Sequence, residues 1–168
     1  APTPFVRSQD LATDSVRNID VVIDALNRME DLTKLPYDMV FLFQPTSPFR
    51  NPQQIDECIE KLWNSKLDSL ASVKGPYQKR DPILKRILDD GSLVPYRSNT
   101  DRDPREEFYI YNASIYGVKR DYLTYYRSMV SDLQVPYIMD EIHSIDIDTK
   151  QDLLLAELLI THKSRFGI

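Results

Sequence analysis

The sequence has little cysteine, little histidine and no long apolar run, and each scarcity excludes a class of protein. Cys58 is the only cysteine among 168 residues, so a disulfide framework is impossible and a reducing, cytoplasmic compartment is expected. No stretch approaches about 18 uncharged apolar residues, so we expect no membrane-spanning helix. The first residues lack the basic and apolar regions of a secretory signal, so we expect none.

Positive charge is also scarce. Lysine and arginine number 21 against 26 acidic residues, which gives a net charge of −5. This charge argues against binding along a nucleic-acid polymer, because such proteins normally carry a basic face. A small anionic ligand is still compatible with it, since local cationic side chains or a bound metal can override the net sign. Walker loops, GxGxxG motifs and Ser/His/Asp motifs are absent from the sequence.

The length predicts one domain, 1–168, with a core of its own. Apolar spacing predicts a helix over 15–29, capped by Asp14. The continuous apolar run over 38–43 favours a strand covered on both faces, as in a parallel sheet. A helix opening at Asn51-Pro52 and a strand over 69–73 complete a β-α-β unit, which implies parallel strands.

Beyond residue 74 the sequence becomes more polar and less regular. The remaining predicted elements are a hairpin turning at Asp90-Gly91, a strand over 110–119, a helix over 119–130, a strand over 142–148 and a helix over 150–162. Either Thr149 or Asp148 could cap the last helix. Together these elements predict an α/β fold.

A polar loop, "QPTSPFR", follows the first predicted strand, and ligands of α/β sheets bind beyond the carboxyl ends of strands. Gln44, Thr46 and Ser47 offer hydrogen-bonding groups, and two prolines stiffen the loop between them. Arg50 could clamp a phosphate or a carboxylate. The alternative is a plain strand–turn–helix connection whose hydroxyls cap backbone groups.

A pair of aspartates forms the second candidate site. In "SIDIDT", Asp146 and Asp148 would share one face of a strand, with Ile145 and Ile147 on the core side. Two close carboxylates repel one another unless a cation lies near them. Carboxylates together with substrate phosphates are the usual ligands of Mg²⁺. The alternative has Asp148 capping the following helix and Asp146 in solvent.

Other chemically capable residues carry weaker signals. Cys58 lies on the apolar stripe of its helix, so we interpret it as a packing residue. His143 could join the aspartate pair, although an exposed position at a strand end is favoured. Arg102 and Arg105 could reach an anionic ligand from a charged loop. A glycosidase is disfavoured, because neighbouring carboxylates on one strand do not flank a scissile bond.

Several motifs occur in a characteristic order. They are "LFQPTSPFR" at 42–50, "YNASIY" at 111–116, "YIM" at 137–139 and "SIDIDT" at 144–149. In this order they resemble the CMP-sialic acid synthetases, or acylneuraminate cytidylyltransferases. The resemblance implies a Rossmann-like, mostly parallel sheet with helices on both faces, of the nucleotide-diphospho-sugar transferase type. It also implies Mg²⁺-dependent transfer of CMP from CTP to the anomeric hydroxyl of a nine-carbon sugar acid, with release of pyrophosphate.

The resemblance also implies roles for particular residues and a homodimer. Residues 74–118 would form a protruding dimerisation arm, in which Lys85, or else Lys79, matches a family lysine. The implied site residues are Gln44, Thr46 and Ser47 in the sugar-acid loop, Arg102 reaching the site from the partner subunit, Asn112 and Tyr116 in the sugar pocket, and Asp146 and Asp148 as the catalytic, metal-binding pair.

The sequence departs from the family pattern in three places. Asn112-Ala113-Ser114 stands where the family has Asn-Gly-Ala, and Ile110 replaces an arginine, so the identity of the sugar acid stays open. The family's first β-α-β-α section, with its triphosphate loop, has no match. We therefore expect an N-terminally incomplete domain with little activity alone. The alternative is a non-catalytic, dimerising fragment that binds the sugar acid.

Overall fold

The computed structural model describes residues 3–13, 15–78, 85–87, 93–95 and 107–166. After a 3-10 turn at Gln9–Leu11, the helices are α1 (Asn18–Thr33), α2 (Pro52–Trp63), α3 (Arg120–Tyr126), α4 (Lys150–Thr161) and α5 (Lys163–Phe166). The strands are β1 (Met39–Phe43), β2 (Ser69–Gln78), β3 (Lys85–Ile87), β4 (Leu93–Pro95), β5 (Glu107–Lys119) and β6 (Gln134–Met139). None of the helices in these ranges is long and apolar enough to cross a membrane.

The central sheet has the strand order β1-β5-β2-β6 and is mixed. The α/β class is confirmed. Of the four described strands in this sheet, β1, β2 and β6 run in the same direction, whereas β5 runs antiparallel to its neighbours β1 and β2. The physical reason is that β5 returns alongside β2 as the second arm of a long hairpin, paired as far out as Gln78 and Glu107. As predicted, β1 and β2 run in the same direction, but β5 lies between them.

Part of the segment predicted as an arm belongs to this sheet. Residues 74–78 continue β2 and residues 107–118 lie in β5. Of the residues between them, 85–87 and 93–95 are described. There, β3 and β4 form a separate antiparallel pair, with Ile87 opposite Leu93. This antiparallel pairing agrees with the predicted hairpin, while the predicted turn at Asp90-Gly91 lies outside the described ranges. The role of the predicted arm in dimerisation stays a prediction.

The helix α2 begins where the sequence predicts. The Asn51 side chain accepts a hydrogen bond from the Gln54 N–H, and the Gln54 side chain accepts one from the Asn51 N–H, so the two form a capping box. Cys58 and Leu62 are fully buried, in one cluster with Leu70 of β2. Burial raises the pKa of the Cys58 thiol to about 12, which keeps it neutral and confirms its interpretation as a packing residue.

The helix α1 packs on the other face of the sheet. It begins at Asn18 with Arg17 at the N-cap, so the predicted start at 15 is early, and Asp14 lies outside the described residues. Its buried residues, Val22 and Leu26, contact a cluster that includes Val118 of β5. Helices therefore cover both faces of the sheet, as expected.

An ion pair joins the start of α3 to α1, and a residue with a left-handed backbone conformation ends the helix. Arg120 donates to both carboxylate oxygens of Glu30, at 2.6 and 2.9 Å, and so joins α3 to α1. The helix ends at Tyr126 because Arg127 adopts a left-handed conformation with φ of 50°. The predicted helix over 119–130 is therefore four residues too long at its end.

The strand predicted over 142–148 is wrong. The sixth strand lies earlier, at Gln134–Met139, and residues 140–148 form a loop. The strand ends because Asp140 accepts hydrogen bonds from the N–H groups of Ile142 and His143, both at 2.9 Å. Pro136 hid β6 in the sequence. Among the described strands β6 lies at an edge of the sheet, beside β2, and a sheet edge tolerates proline.

The capping box predicts a measurable loss of stability. Replacing Asn51→Ala removes the acceptor for the Gln54 N–H, so we expect the free energy of unfolding to fall by about 1 kcal/mol. Urea denaturation measures this change. Asn64→Ala, at the exposed opposite end of the same helix, is the matched control and should leave the midpoint nearly unchanged. Equal midpoints for both variants would contradict the capping role.

Candidate active site

The loop after β1 is held by an arginine. One guanidinium nitrogen of Arg50 donates to the carbonyl oxygens of Gln44 and Ser47, both at 2.7 Å, and to that of Ser114 at 3.4 Å. The guanidinium also lies 5.4 Å from the ring centroid of Phe43. Arg50 therefore joins this loop to β5, which supports a structural role rather than the ligand clamp considered from sequence.

The three predicted binding side chains of this loop differ in exposure. Gln44 is half-buried and Thr46 is exposed. Ser47 is fully buried, and its hydroxyl finds no hydrogen-bond partner among the described residues. A buried hydroxyl without a partner is rare in a folded protein and marks a place where a further polar group would be stabilised.

The aspartate loop, residues 140–148, is anchored by its isoleucines. Ile145 and Ile147 pack against a cluster that contains Phe49 of the first loop and Ala156 of α4. The sequence therefore assigned these two residues correctly to the core side, although they do not lie on a strand. His143 is held by Asp140, with its Nδ1 atom 2.7 Å from a carboxylate oxygen.

A backbone hydrogen bond joins the two candidate loops. The Ile147 N–H donates to the Thr46 carbonyl oxygen at 2.9 Å. Because Ile147 lies between Asp146 and Asp148, this bond places the aspartate pair beside the "QPTSP" loop. The sequence presented them as two independent candidates, and the structure combines them into one site.

The Asn112 side chain joins a third segment to the site. Its amide oxygen accepts hydrogen bonds from the Ser72 hydroxyl at 2.5 Å and from the Ser114 N–H at 3.2 Å. Its amide nitrogen donates to the Ser144 hydroxyl at 2.8 Å. The Ser72 hydroxyl in turn accepts from the Ile115 N–H at 2.7 Å. The Asn112 amide, predicted to bind substrate, is thus engaged with the protein itself.

These bonds stabilise a bulge in β5. Ala71 pairs with Tyr116 and Val73 pairs with Tyr111. The single residue Ser72 of β2 therefore lies opposite four residues of β5, 112–115. Within the bulge Ala113 has a φ of 58°, a left-handed conformation that favours glycine. A glycine, which the family pattern has at this position, would adopt this conformation without the strain that an alanine carries.

A cavity of about 430 Å³ opens beside these three segments. Its polar lining residues are Lys74, Asn112, Glu141, Ser144, Asp146, Asp148 and Asp152, and its other lining residues include Tyr111, Ala113 and Leu155. Although residues 142–148 are not a strand, Asp146 and Asp148 do face the same space. The predicted pair is therefore brought together beyond the carboxyl end of β6, beside Lys74 of β2.

The three aspartates of this cavity have different surroundings. Thr149 is the N-cap of α4, and Asp152 accepts from its N–H and hydroxyl at 2.7 Å, which lowers the pKa of Asp152. Asp148 therefore does not cap the helix and is exposed. Asp146 is half-buried, and its Oδ1 atom is buried without a partner in the described part of the chain. Asp146 and Asp148 thus differ from Asp152, whose Oδ2 atom is occupied by the cap of α4.

Tyr116 lies close to the aspartate pair. Burial raises the pKa of its hydroxyl, and the neighbouring Tyr111 and the Asp146 carboxylate raise it further. The Tyr111 and Tyr116 ring centroids are 6.3 Å apart. The predicted sugar-pocket tyrosine is thus near the carboxylate predicted to hold the metal.

Three other predicted residues cannot be placed in the site. Arg102 and Lys79 lie outside the described residues. Lys85 begins the short strand β3, which pairs with β4 rather than with the central sheet.

Lys74 is a residue that the sequence analysis missed. The strand predicted over 69–73 stops short of Lys74, whereas β2 continues to Gln78. The alternation of side chains along a strand could have identified Lys74, since Ser72 and Lys74 are two residues apart and share one face.

A second cavity, of about 480 Å³, lies at the amino ends of β1 and β2. It also contains acidic residues, among them Asp38, Asp68 and Asp121. Ligands of open α/β sheets bind at the carboxyl ends of strands, so this position favours the first cavity as the active site.

Comparison with known proteins identifies the family. A CMP-N,N'-diacetyllegionaminic acid synthase from Legionella pneumophila is 34% identical over 164 residues, which cover 95% of this chain and 69% of that protein. The chain belongs to the CMP-sialic acid synthetase family. A post-translational flagellin modification protein B from Campylobacter coli is 31% identical over 163 residues, which cover 95% of this chain and 68% of that protein.

A more distant relative and a search of family models complete the comparison. An N-acylneuraminate cytidylyltransferase from Escherichia coli is 29% identical over 166 residues, covering 96% of this chain but 38% of that longer protein. No family model matches the chain. The relatives align with nearly all of this chain. They therefore confirm the resemblance to the CMP-sialic acid synthetases that the motifs indicated.

The strained alanine of the bulge gives a prediction. Ala113→Gly removes the cost of a left-handed alanine, which exceeds the extra entropy of glycine in the unfolded chain. We expect the free energy of unfolding to rise by about 1 kcal/mol. The control Ala25→Gly, within α1, should lower it by about 1 kcal/mol, because helical residues favour alanine. Thermal or urea denaturation would refute the prediction if both variants were destabilised alike.

Proposed function

We propose that the protein is a cytidylyltransferase that transfers CMP from CTP to the anomeric hydroxyl of a sialic-type sugar acid. In this reaction the hydroxyl oxygen forms a bond to the α-phosphorus, the bond to the leaving pyrophosphate breaks, and the hydroxyl loses its proton. The observation that carries the proposal is the cavity in which Asp146 and Asp148 lie beside the "QPTSP" loop. Family membership supports the same reaction.

Mg²⁺ is the proposed cofactor, and the residues present fit it. Asp146 and Asp148 would hold the ion, since both residues line the cavity, Asp148 is exposed, and the Asp146 Oδ1 atom has no hydrogen-bond partner among the described residues. No group of three or more His, Cys, Asp or Glu side chains suited to a metal occurs within the described ranges. Two carboxylates suffice for Mg²⁺, which usually keeps several waters and binds substrate phosphates. When bound, the ion neutralises charge that develops on the transferred phosphate.

The sugar acid would bind between the first loop and β5. Gln44, Thr46 and Tyr116 are proposed to contact it, with Asn112 shaping the wall and Ser47 contributing its unpaired hydroxyl. The relatives are named for N,N'-diacetyllegionaminic acid and for N-acylneuraminate, so both sugar acids are candidates. We also propose a cytoplasmic homodimer in which Arg102 and Lys85 of the predicted arm contribute to binding.

Pyrophosphate release tests the reaction directly. The full gene product is incubated with CTP, Mg²⁺ and either N-acetylneuraminic acid or N,N'-diacetyllegionaminic acid, and pyrophosphate is measured. We expect release with at least one acid and none when the acid is omitted. No release with any member of a wider panel of nine-carbon sugar acids would refute the proposed reaction.

The aspartate pair gives a sharper prediction. Asp146→Asn keeps the shape of the side chain but removes its charge, so we expect kcat/KM to fall by about 100-fold or more. The matched control is Asp121→Asn, which removes a carboxylate that lines the second cavity and is fully exposed. It should retain wild-type turnover. Equal turnover by both variants would contradict the role of Asp146.

A further inference from the structure

Lys74 lies on the cavity side of β2. Ser72 and Lys74 alternate on one face of the strand, and the Ser72 hydroxyl is bonded to Asn112, which lines the cavity. Ala71 and Val73 face the other way and line a different cavity, of about 260 Å³. Strand geometry therefore directs Lys74 into the candidate site.

The charge of the cavity makes this lysine unusual. Four of the lining residues are acidic, namely Glu141, Asp146, Asp148 and Asp152, whereas Lys74 is the lining residue that carries positive charge. Lys74 makes no ion pair with another residue in the described ranges, so its ammonium group is available to a ligand. An anion entering this cavity would be repelled by the carboxylates unless a cation offsets them.

The chemistry of the proposed substrate indicates which of the anionic groups in the site would bind to Lys74. In an α-keto sugar acid the carboxylate and the attacking hydroxyl are attached through the same anomeric carbon. Any pose that brings this hydroxyl to a phosphate near Asp146 and Asp148 also brings the carboxylate into the same cavity. The phosphates would be offset by the metal ion, but the carboxylate needs a cation from the protein.

We propose that Lys74 binds the carboxylate of the sugar acid and thereby selects acids over neutral sugars. The proposal rests on the proposed function, since it concerns the substrate of the same site. A lysine suits this role because its ammonium group is a compact charge on a flexible stem that reaches from the strand to the ligand. Half-burial strengthens the attraction relative to that in bulk water.

The test compares a free acid with its uncharged ester. Binding of whichever sugar acid supports pyrophosphate release, and of its methyl ester, is measured by calorimetry on the full gene product with Mg²⁺. We expect the wild type to prefer the acid. Lys74→Met should weaken binding of the acid by about 10- to 100-fold, the usual effect of losing a charged hydrogen bond, and leave ester binding unchanged. Lys74→Arg, which keeps the charge, is the control and should retain the preference.

Kinetics separate the carboxylate from the phosphates. Lys74→Met should raise KM for the sugar acid while KM for CTP stays near the wild-type value. If KM for CTP rises instead and the preference for acid over ester persists, Lys74 serves the phosphates and the proposal is wrong. Lys74→Gln is a second charge-removing variant in case the methionine variant does not fold.

The remaining outcomes distinguish this proposal from the proposed function. If the wild type releases pyrophosphate and both charge-removing variants bind the acid as tightly as it does, the role of Lys74 is refuted and the reaction stands. A wild type that binds acid and ester equally refutes the role of Lys74 as well. If the wild type neither binds any sugar acid nor releases pyrophosphate, the proposed function fails and this proposal fails with it.

Discussion

The buried amide of Asn112 is the constraint on which the rest of the site depends. It joins Ser72 of β2, Ser114 of its own bulge and Ser144 of the aspartate loop. A buried amide left without partners costs roughly 1–3 kcal/mol for each lost group, so the three segments are held in one arrangement. The bulge, the left-handed Ala113 and the position of the loop that carries Asp146 follow from this network.

Two further contacts complete the arrangement around that network. Arg50 bonds the carbonyl oxygens of the first loop and of Ser114, so the first loop is fixed to the same bulge. The bond from Ile147 to Thr46 then joins the first loop to the aspartate loop. Groups that follow β1 and β6 therefore converge with groups from the middle of β2, although these segments lie far apart in the chain. Such positioning suits phosphoryl-type transfer, in which catalysis is mostly orientation and charge neutralisation.

The sequence predicted the features that local chemistry determines. The start of α2 follows from Asn51 and Pro52, and burial of Cys58 follows from its place on an apolar stripe. The loop beyond β1 became a candidate because polar groups follow an apolar strand. The aspartate pair became one because its carboxylates alternate with Ile145 and Ile147, although the strand predicted from that alternation is wrong. The motif order then indicated the family, which the relatives confirm.

Features that depend on distant contacts could not be predicted locally. The apolar pattern of β5 is the same for either direction, so only its pairing with β1 and β2 shows that it is antiparallel. The alternation in residues 142–148 reflects isoleucines packed under a loop, and Pro136 concealed an edge strand. Lys74 was missed because it lies beyond the apolar run, where strand pairing rather than hydropathy extends β2.

The central claim is that the aspartate pair beside the first loop forms the metal and substrate site. Titration with paramagnetic Mn²⁺ in the presence of CTP, followed by amide NMR signals, tests it most directly. Selective broadening at residues 44–47 and 144–148, with Asp38, Asp68 and Asp121 unaffected, is the predicted result. Broadening around those three aspartates of the second cavity, with residues 144–148 unaffected, would contradict the account.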